Sequence, residues 1–260
     1  MKLYVAVFLA LCLLITSVMT SCRQPAAGET SAPKAAIIDQ LSVLEPDSEF
    51  ISRATAMLES AGFEVDLWPG QAVTVDFYRK LPLYGYKLIV LRAHSGILLA
   101  AGGSKFVPTK TSYLFTGETY TPSRYVYEQL TDKLVNAMMT DTYPLVFAIN
   151  SQFVADESQG TFNNTVILSM GCESSYIDDM AAAFISKGAS AYVGWSTAVT
   201  LDYVDNATTN LLNNLCGKHM TIEQSIASTM AETGHDPYFN SYLKCYPVDK
   251  GNRTIEALVR

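Results

Sequence analysis

The chain has 260 residues, 49% hydrophobic and 17% charged, which is enough apolar material for one sizeable core and too little length for two generous domains. Its formal net charge is -7 and it has no cluster or stripe of Lys and Arg. The electrostatic footprint of a phosphate-backbone binder is therefore missing, and nucleic acid is excluded as an expected partner.

Residues 1–22, MKLYVAVFLALCLLITSVMTSC, put Lys2 before an apolar run and small or hydroxylated residues before Cys22, the layout of an export signal. The Met-Thr-Ser-Cys ending resembles a lipoprotein signal, with Met19 standing where Leu is commonest. It implies that Cys22 is lipidated and that the mature protein is held to the membrane on its extracytoplasmic side. The run from Leu3 to Met19 is also just long enough to stay as an uncleaved anchor. Residues 23–34, RQPAAGETSAPK, have no periodicity and read as a flexible tether, which leaves 35–260 as the folded domain.

From residue 35, short apolar runs alternate with amphipathic stretches, the pattern of an α/β fold with a mainly parallel sheet. AAIIDQL reads as the first strand. PDSEFISRATAMLESAG predicts a helix with Asp47 or Ser48 as N-cap, Phe50, Ala54, Met57, Leu58 and Ala61 on one face, and Gly62 as its stop. FEVDLW alternates strictly, as a half-buried edge strand does. TVDFYRKL is a short helix capped by Thr74, and YKLIVLRAH is apolar nearly throughout, as a central strand is.

Residues 97–164 break this rhythm. TSYLFTGETY predicts a strand and a turn around Gly117. Thr121 and Pro122 then open a helix through Leu130, Leu134 and Met138, and LVFAINSQFV reads as a further strand. Such an insertion is either a substrate-facing lid or a peripheral hairpin bracing the sheet. Its tyrosines, Tyr113, Tyr120, Tyr125 and Tyr127, suit a contact surface and equally an ordinary core. The rhythm returns with strand TVILSMGC, a helix over 177–187 closed by Gly188, strand SAYVGW, a helix from Asp202 to Cys216, and a last helix opened by the capping box Thr221 to Gln224.

Two side chains with chemistry stand where apolar strands end. LIVLRAHSG runs into His94, and TVILSMGC runs into Cys172. In open α/β sheets ligands bind at the carboxyl ends of the strands, and neighbouring strands lie about 4.8 Å apart. A thiol and an imidazole can therefore share one cleft if their strands are close. The imidazole would accept the thiol proton or stabilise the thiolate, while turn N–H groups and the following helix favour negative charge there. Taken singly, His94 reads as a packed imidazole and Cys172 as a buried thiol; their standing together at matching strand ends is what points to a shared site. Arg92, two residues before His94, is a candidate partner for an acidic substrate group.

The order LIVLRAHSG, then VILSMGCESS, a helix, GASAYVGWS and an Asp-led helix resembles the caspase-fold cysteine peptidases of clan CD, in particular the clostripain, gingipain and CHAT branches, over roughly residues 35–233. The resemblance implies a three-layer sandwich with a mainly parallel central sheet and an insertion between the His-bearing and Cys-bearing strands. It also implies a catalytic dyad of His94 and Cys172, oxyanion donors at the backbone N–H groups of Ser95 and Cys172, and a substrate-pocket wall at Trp195 and Ser196. The chain departs from the family in three places. Ser95 takes the place of a Gly after the His, Met170 takes that of an acid two before the Cys, and Glu173 follows the Cys directly. Trypsin-like specificity is thus not expected.

A nucleophile elbow is disfavoured because it needs a small residue where Met170 stands. AAGGSK lacks the flanks of a phosphate loop, so nucleotide chemistry is not expected. Cys216-Gly-Lys-His219 has metal-like spacing but no second ligand pair, and neither metal nor cofactor is expected. In an oxidising compartment Cys216 and Cys245 can pair, leaving Cys172 alone. The reading is an exported, membrane-anchored cysteine endopeptidase acting on a peptide or protein substrate. Its rival is an inactive surface module of the same fold that binds a peptide or protein partner.

Overall fold

The computed structural model describes residues 32–102 and 105–259. The expected signal, Cys22 and nearly all of the tether lie outside these residues. Among the described residues no helix is long and apolar enough to cross a membrane.

The run AAIID forms β1 (Lys34–Asp39). It stops before Gln40 and Leu41, which the sequence assigns to the strand but which turn into a 3-10 segment over Gln40–Val43. Next comes α1 (Ser48–Ser60), where the Asp47 side chain accepts a hydrogen bond from the N–H of Phe50 at 2.8 Å. After β2 (Glu64–Pro69), α2 (Val75–Lys80) begins where Thr74 Oγ1 accepts from the Phe77 N–H, and β3 (Leu88–Arg92) is buried at every position. Such caps satisfy backbone donors that a helix leaves without partners, and each contributes about 1 kcal/mol.

The insertion holds β4 (Ser95–Gly102), β5 (Lys105–Thr119), α3 (Val126–Leu130), β6 (Leu134–Ala137), β7 (Val146–Asn150) and α4 (Ser151–Glu157). The chain then forms β8 (Thr165–Ser169), α5 (Asp179–Ser186), β9 (Ala189–Trp195), α6 (Leu201–Leu212), α7 (Ile222–Thr233), β10 (Leu243–Tyr246) and α8 (Ile255–Leu258). A π turn over Asn213–Gly217 extends α6, and the capping box at Thr221 and Gln224 is formed.

Six strands make the central sheet in the order β10, β9, β8, β3, β1, β2, parallel throughout except for β10. Alternate residues on each strand feed opposite faces, so one chain supplies two cores. Ile37, Val90, Leu168 and Val193 pack with α1, α6 and α7 on one side. On the other side Ile38, Leu91, Ile167 and Tyr192 pack with α2, α4 and α5. The fold is thus mixed α/β, with a mainly parallel sheet between helices. Each Val, Leu or Ile so buried gains about 1.5–3 kcal/mol over its exposed state before entropy is counted.

The insertion departs from expectation in two ways. Gly117 makes no turn, because β5 runs through it as part of a second, antiparallel sheet in the order β4, β5, β7, β6. The Gly117 N–H donates to the Val73 carbonyl at 2.8 Å, and a Cβ there would collide with the carbonyl oxygen of Gly70. Glycine is needed at 117 for that close approach of two backbones. The helix expected through Leu130, Leu134 and Met138 also breaks up. Tyr125 and Asp132 adopt left-handed φ values of 53° and 56°, and Leu134 enters β6 opposite Ile149. Leu130 and Met138 are 80% and 60% exposed, so the apparent helical stripe was never one buried face.

Cys216 and Cys245, whose pairing the sequence left open, are both free thiols. Burial pushes Cys216 up to about 12 and Cys245 up to about 11, so both stay protonated at neutral pH.

Arg92 corrects a further expectation. Its side chain is 1% exposed and already paired. Nε and Nη2 donate to the two carboxylate oxygens of Asp205 on α6 at 2.9 and 2.8 Å, and Nη1 donates to Asp39 at 2.8 Å and to the Glu45 carbonyl at 3.0 Å. No donor set remains for a substrate acid. Burial opposes the guanidinium charge, but the hydrogen bonds to Asp205 and Asp39 outweigh it and hold the pKa above its ordinary value. Burial also raises both carboxylates, against the pull of Arg92. Removing the cation would strand two buried acids, a change that costs about 3–5 kcal/mol. Arg92→Leu should therefore lower the unfolding free energy in urea by about that amount, whereas a loss below about 1 kcal/mol would mean that the ion triplet is not structural.

Candidate active site

The site grows from the pairing of β3 with β8. Leu91 pairs with Ser169, and the Met170 N–H donates to the Leu91 carbonyl at 2.9 Å. Three residues further along each strand direction stand His94 and Cys172. Both residues therefore leave adjacent parallel strands at the carboxyl edge of the sheet.

The close approach depends on Gly171. A Cβ at that position would clash with Ser95 Oγ and with the Ala93 carbonyl. Ser95 Oγ donates to the Cys172 carbonyl at 2.5 Å, so this side chain clamps one exit to the other. Glu173 follows in a left-handed conformation, φ 57°, with its N–H donating to the Thr197 carbonyl at 2.9 Å. Its carboxylate accepts from the Ile97 N–H at 3.0 Å. A non-glycine residue held there stores about 1–3 kcal/mol of strain, a feature that concentrates at functional loops.

His94 is fixed through its backbone. Its N–H donates to Gln40 Oε1 at 2.9 Å and its carbonyl accepts from the Phe115 N–H at 2.9 Å. The imidazole lies against the Phe115 ring with centroids 5.8 Å apart. Burial lowers its pKa below the ordinary value, with Glu45 opposing and Arg92 reinforcing the shift. Cys172 is held from the β9 side, where the Val199 N–H donates to Sγ at 3.4 Å and Sγ lies 3.5 Å from the Val199 carbonyl. Burial raises its thiol, the Val199 hydrogen bond opposes this, and Glu173 and Asp236 add to the rise. The hydrogen bonds of Sγ go to Val199, and none joins it to the imidazole.

Asp236 shapes the neighbouring loop. Its carboxylate accepts from the N–H groups of Thr200, Tyr238 and Phe239 and from the Thr200 hydroxyl, at 2.8–3.0 Å. Burial opposes its charge, but these backbone donors hold its pKa below the usual carboxylate range. The loop presents Tyr238, Phe239 and Tyr242 to solvent beside the strand ends.

The other expected site residues fall elsewhere. Trp195 is 1% exposed and packs against Tyr203 within the core, so it forms no open pocket wall. Ser196 is also buried, accepting from the Tyr242 N–H at 3.0 Å. His219 Nδ1 lies 2.7 Å from Glu256, and among the described residues no group of three or more His, Cys, Asp and Glu is placed to hold a metal ion. Sequence reasoning missed Gln40, Gly171, Val199 and Asp236. Only Gly171 carried a local signal, as a glycine directly before a strand-end cysteine.

No protein-family model matches the chain, and no curated protein matches its sequence.

Chemically, the resting pair is a protonated thiol and a neutral imidazole. The neutral ring is free to accept a proton, which is what a general base requires. Because the Cys172 pKa is raised, its thiolate fraction falls below that of a free cysteine at any pH beneath the folded value. Alkylation of Cys172 by iodoacetamide should therefore rise with pH along a curve displaced upward from that of a cysteine peptide measured alongside. A downward displacement would instead mean a preformed thiolate and imidazolium pair.

Proposed function

We propose that the chain is a cysteine-dependent peptidase of caspase-like fold, with Cys172 as nucleophile and His94 as its base. The observation that supports this reading is that His94 and Cys172 follow the adjacent parallel strands β3 and β8, whose exits are tied by the Ser95 Oγ hydrogen bond to the Cys172 carbonyl. The order of the central strands, with its antiparallel outer strand, and the insertion that starts directly after the histidine are in keeping with it.

The chemistry follows from the protonation states. As Sγ approaches the carbonyl carbon of a peptide, its proton passes to the His94 imidazole and the new S–C bond pushes an electron pair onto the carbonyl oxygen. Backbone N–H groups at Ser95 and Cys172 are the assigned donors to that oxyanion, and such donors are worth about 2.7–4 kcal/mol each in comparable sites. Collapse of the tetrahedral intermediate breaks the C–N bond, and the imidazolium returns its proton to the leaving amine. Water, deprotonated by the same imidazole, then hydrolyses the thioester and restores the thiol. The substrate is a peptide or protein. Export and a lipid or uncleaved anchor at the N-terminus belong to the same proposal, on the apolar run and Cys22 of residues 1–22.

One observation favours the rival, a binding module without activity: the hydrogen bonds of Sγ are spent on Val199 rather than on the imidazole. Fold alone does not separate the two. Cleavage of a diverse peptide library by the domain from Lys34 onward, under reducing conditions, does so. Activity is expected in the wild type and should fall by about 10³-fold or more in Cys172→Ala and in His94→Ala. Silence from the folded wild type, or cleavage that survives Cys172→Ala, would refute the peptidase reading.

A further inference from the structure

The second sheet carries an apolar pocket that opens beside the strand ends. Its volume is about 190 Å³, and Gly96, Ile97, Tyr113, Phe115, Val135 and Ala137 are among its walls. Of the side chains that line it none is charged, and the polar groups are the Asn136 amide and the Tyr113 hydroxyl. One face of this sheet sends Leu114, Leu134, Phe147 and Ile149 into the main core. The opposite face gathers Tyr113, Phe115, Val135, Ala137 and Ala148 into a separate small cluster. An open cavity with so apolar a lining is the usual form of a recognition pocket, with few polar groups to fix orientation.

The pocket shares walls with the candidate site. Phe115 lines it and also lies against the His94 ring, 5.8 Å between centroids. Ile97 lines it while its N–H is held by the carboxylate of Glu173, the residue after Cys172. Larger cavities, of about 290, 400 and 530 Å³, lie against Ser42 and Gly70, against α7 and β10, and against α1 and the π turn, and none of them is lined by His94, Cys172 or a residue next to either. Size limits the occupant, since a cavity of about 150 Å³ is enough to take up benzene. One leucine, methionine or phenylalanine side chain matches the space, and burying an unpaired acid or ammonium there would be strongly unfavourable.

We propose that this pocket receives an apolar side chain of Leu, Met or Phe size, from a substrate residue beside the bond that Cys172 attacks, with Phe115 and Val135 setting the preference. This rests on the peptidase reading for its chemistry but not for its binding. Binding can therefore be read separately, in the Cys172→Ala domain, with a peptide series that varies one position through Phe, Leu, Gly, Asp and Lys.

Phe and Leu peptides should bind at least tenfold more tightly than the Asp and Lys peptides. Filling the pocket by Val135→Phe, or independently by Ala137→Leu, should weaken the Phe peptide about tenfold and spare the Gly peptide, with unchanged circular dichroism showing that each variant folds. Equal binding across the series, no binding at all, or a Phe peptide indifferent to both fillings would overturn the pocket. So would self-association that competes with the peptide, which would assign the surface to a second copy of the chain. Wild-type cleavage without preference at any position would overturn the pocket and leave the peptidase standing. Selective binding beside a wild type that cleaves nothing would uphold the pocket and remove only the reading it serves.

Discussion

Parallel pairing fixes more of this molecule than any single contact. Strands about 4.8 Å apart, with Leu91 opposite Ser169, carry the chain to His94 and to Cys172 from adjacent positions in the sheet. A slip of one residue on either strand would turn its whole apolar set to the opposite face, so the two cores lock the register. The geometry of the pair is thus a by-product of packing Val90 and Leu168 one way and Leu91 and Ile167 the other.

That origin explains the electrostatics. Side chains at the rim of so apolar a sheet are partly desolvated, and desolvation favours the neutral form of each. The imidazole pKa moves down and the thiol pKa moves up, so both side chains rest uncharged. One step deeper, Arg92 lies between Asp39 and Asp205 and ties β3 to α6. The insertion then starts at Ser95 and builds its own sheet beside the rim, so Phe115 serves both the His94 ring and the neighbouring pocket.

Much of this was legible in the sequence wherever local signals agreed. Continuous apolar runs marked β3 and β8, and Asp47, Thr74 and Thr221 cap the helices they were read to start. Reading failed where the cause was distant. Gly117 looked like a turn because a glycine's need for space shows only when Gly70 is known to press against it. Leu130, Leu134 and Met138 kept helical spacing by chance while strand pairing with β7 decided their conformation. Arg92 looked like a ligand for substrate because its acids stand 53 and 113 residues away in sequence. Trp195 suited a pocket wall by its position at a strand end, yet its bulk is absorbed by the core.

The central claim is that His94 and Cys172 act on one reacting carbon. A crystal structure of the wild-type domain soaked with a peptide aldehyde tests it directly. The account predicts a covalent bond from Sγ of Cys172 to the aldehyde carbon, an oxygen facing the N–H groups of Ser95 and Cys172, and an imidazole nitrogen within about 2.6–3.2 Å of the adduct. An unmodified Cys172, or an adduct with the His94 ring turned away from it, would contradict the account.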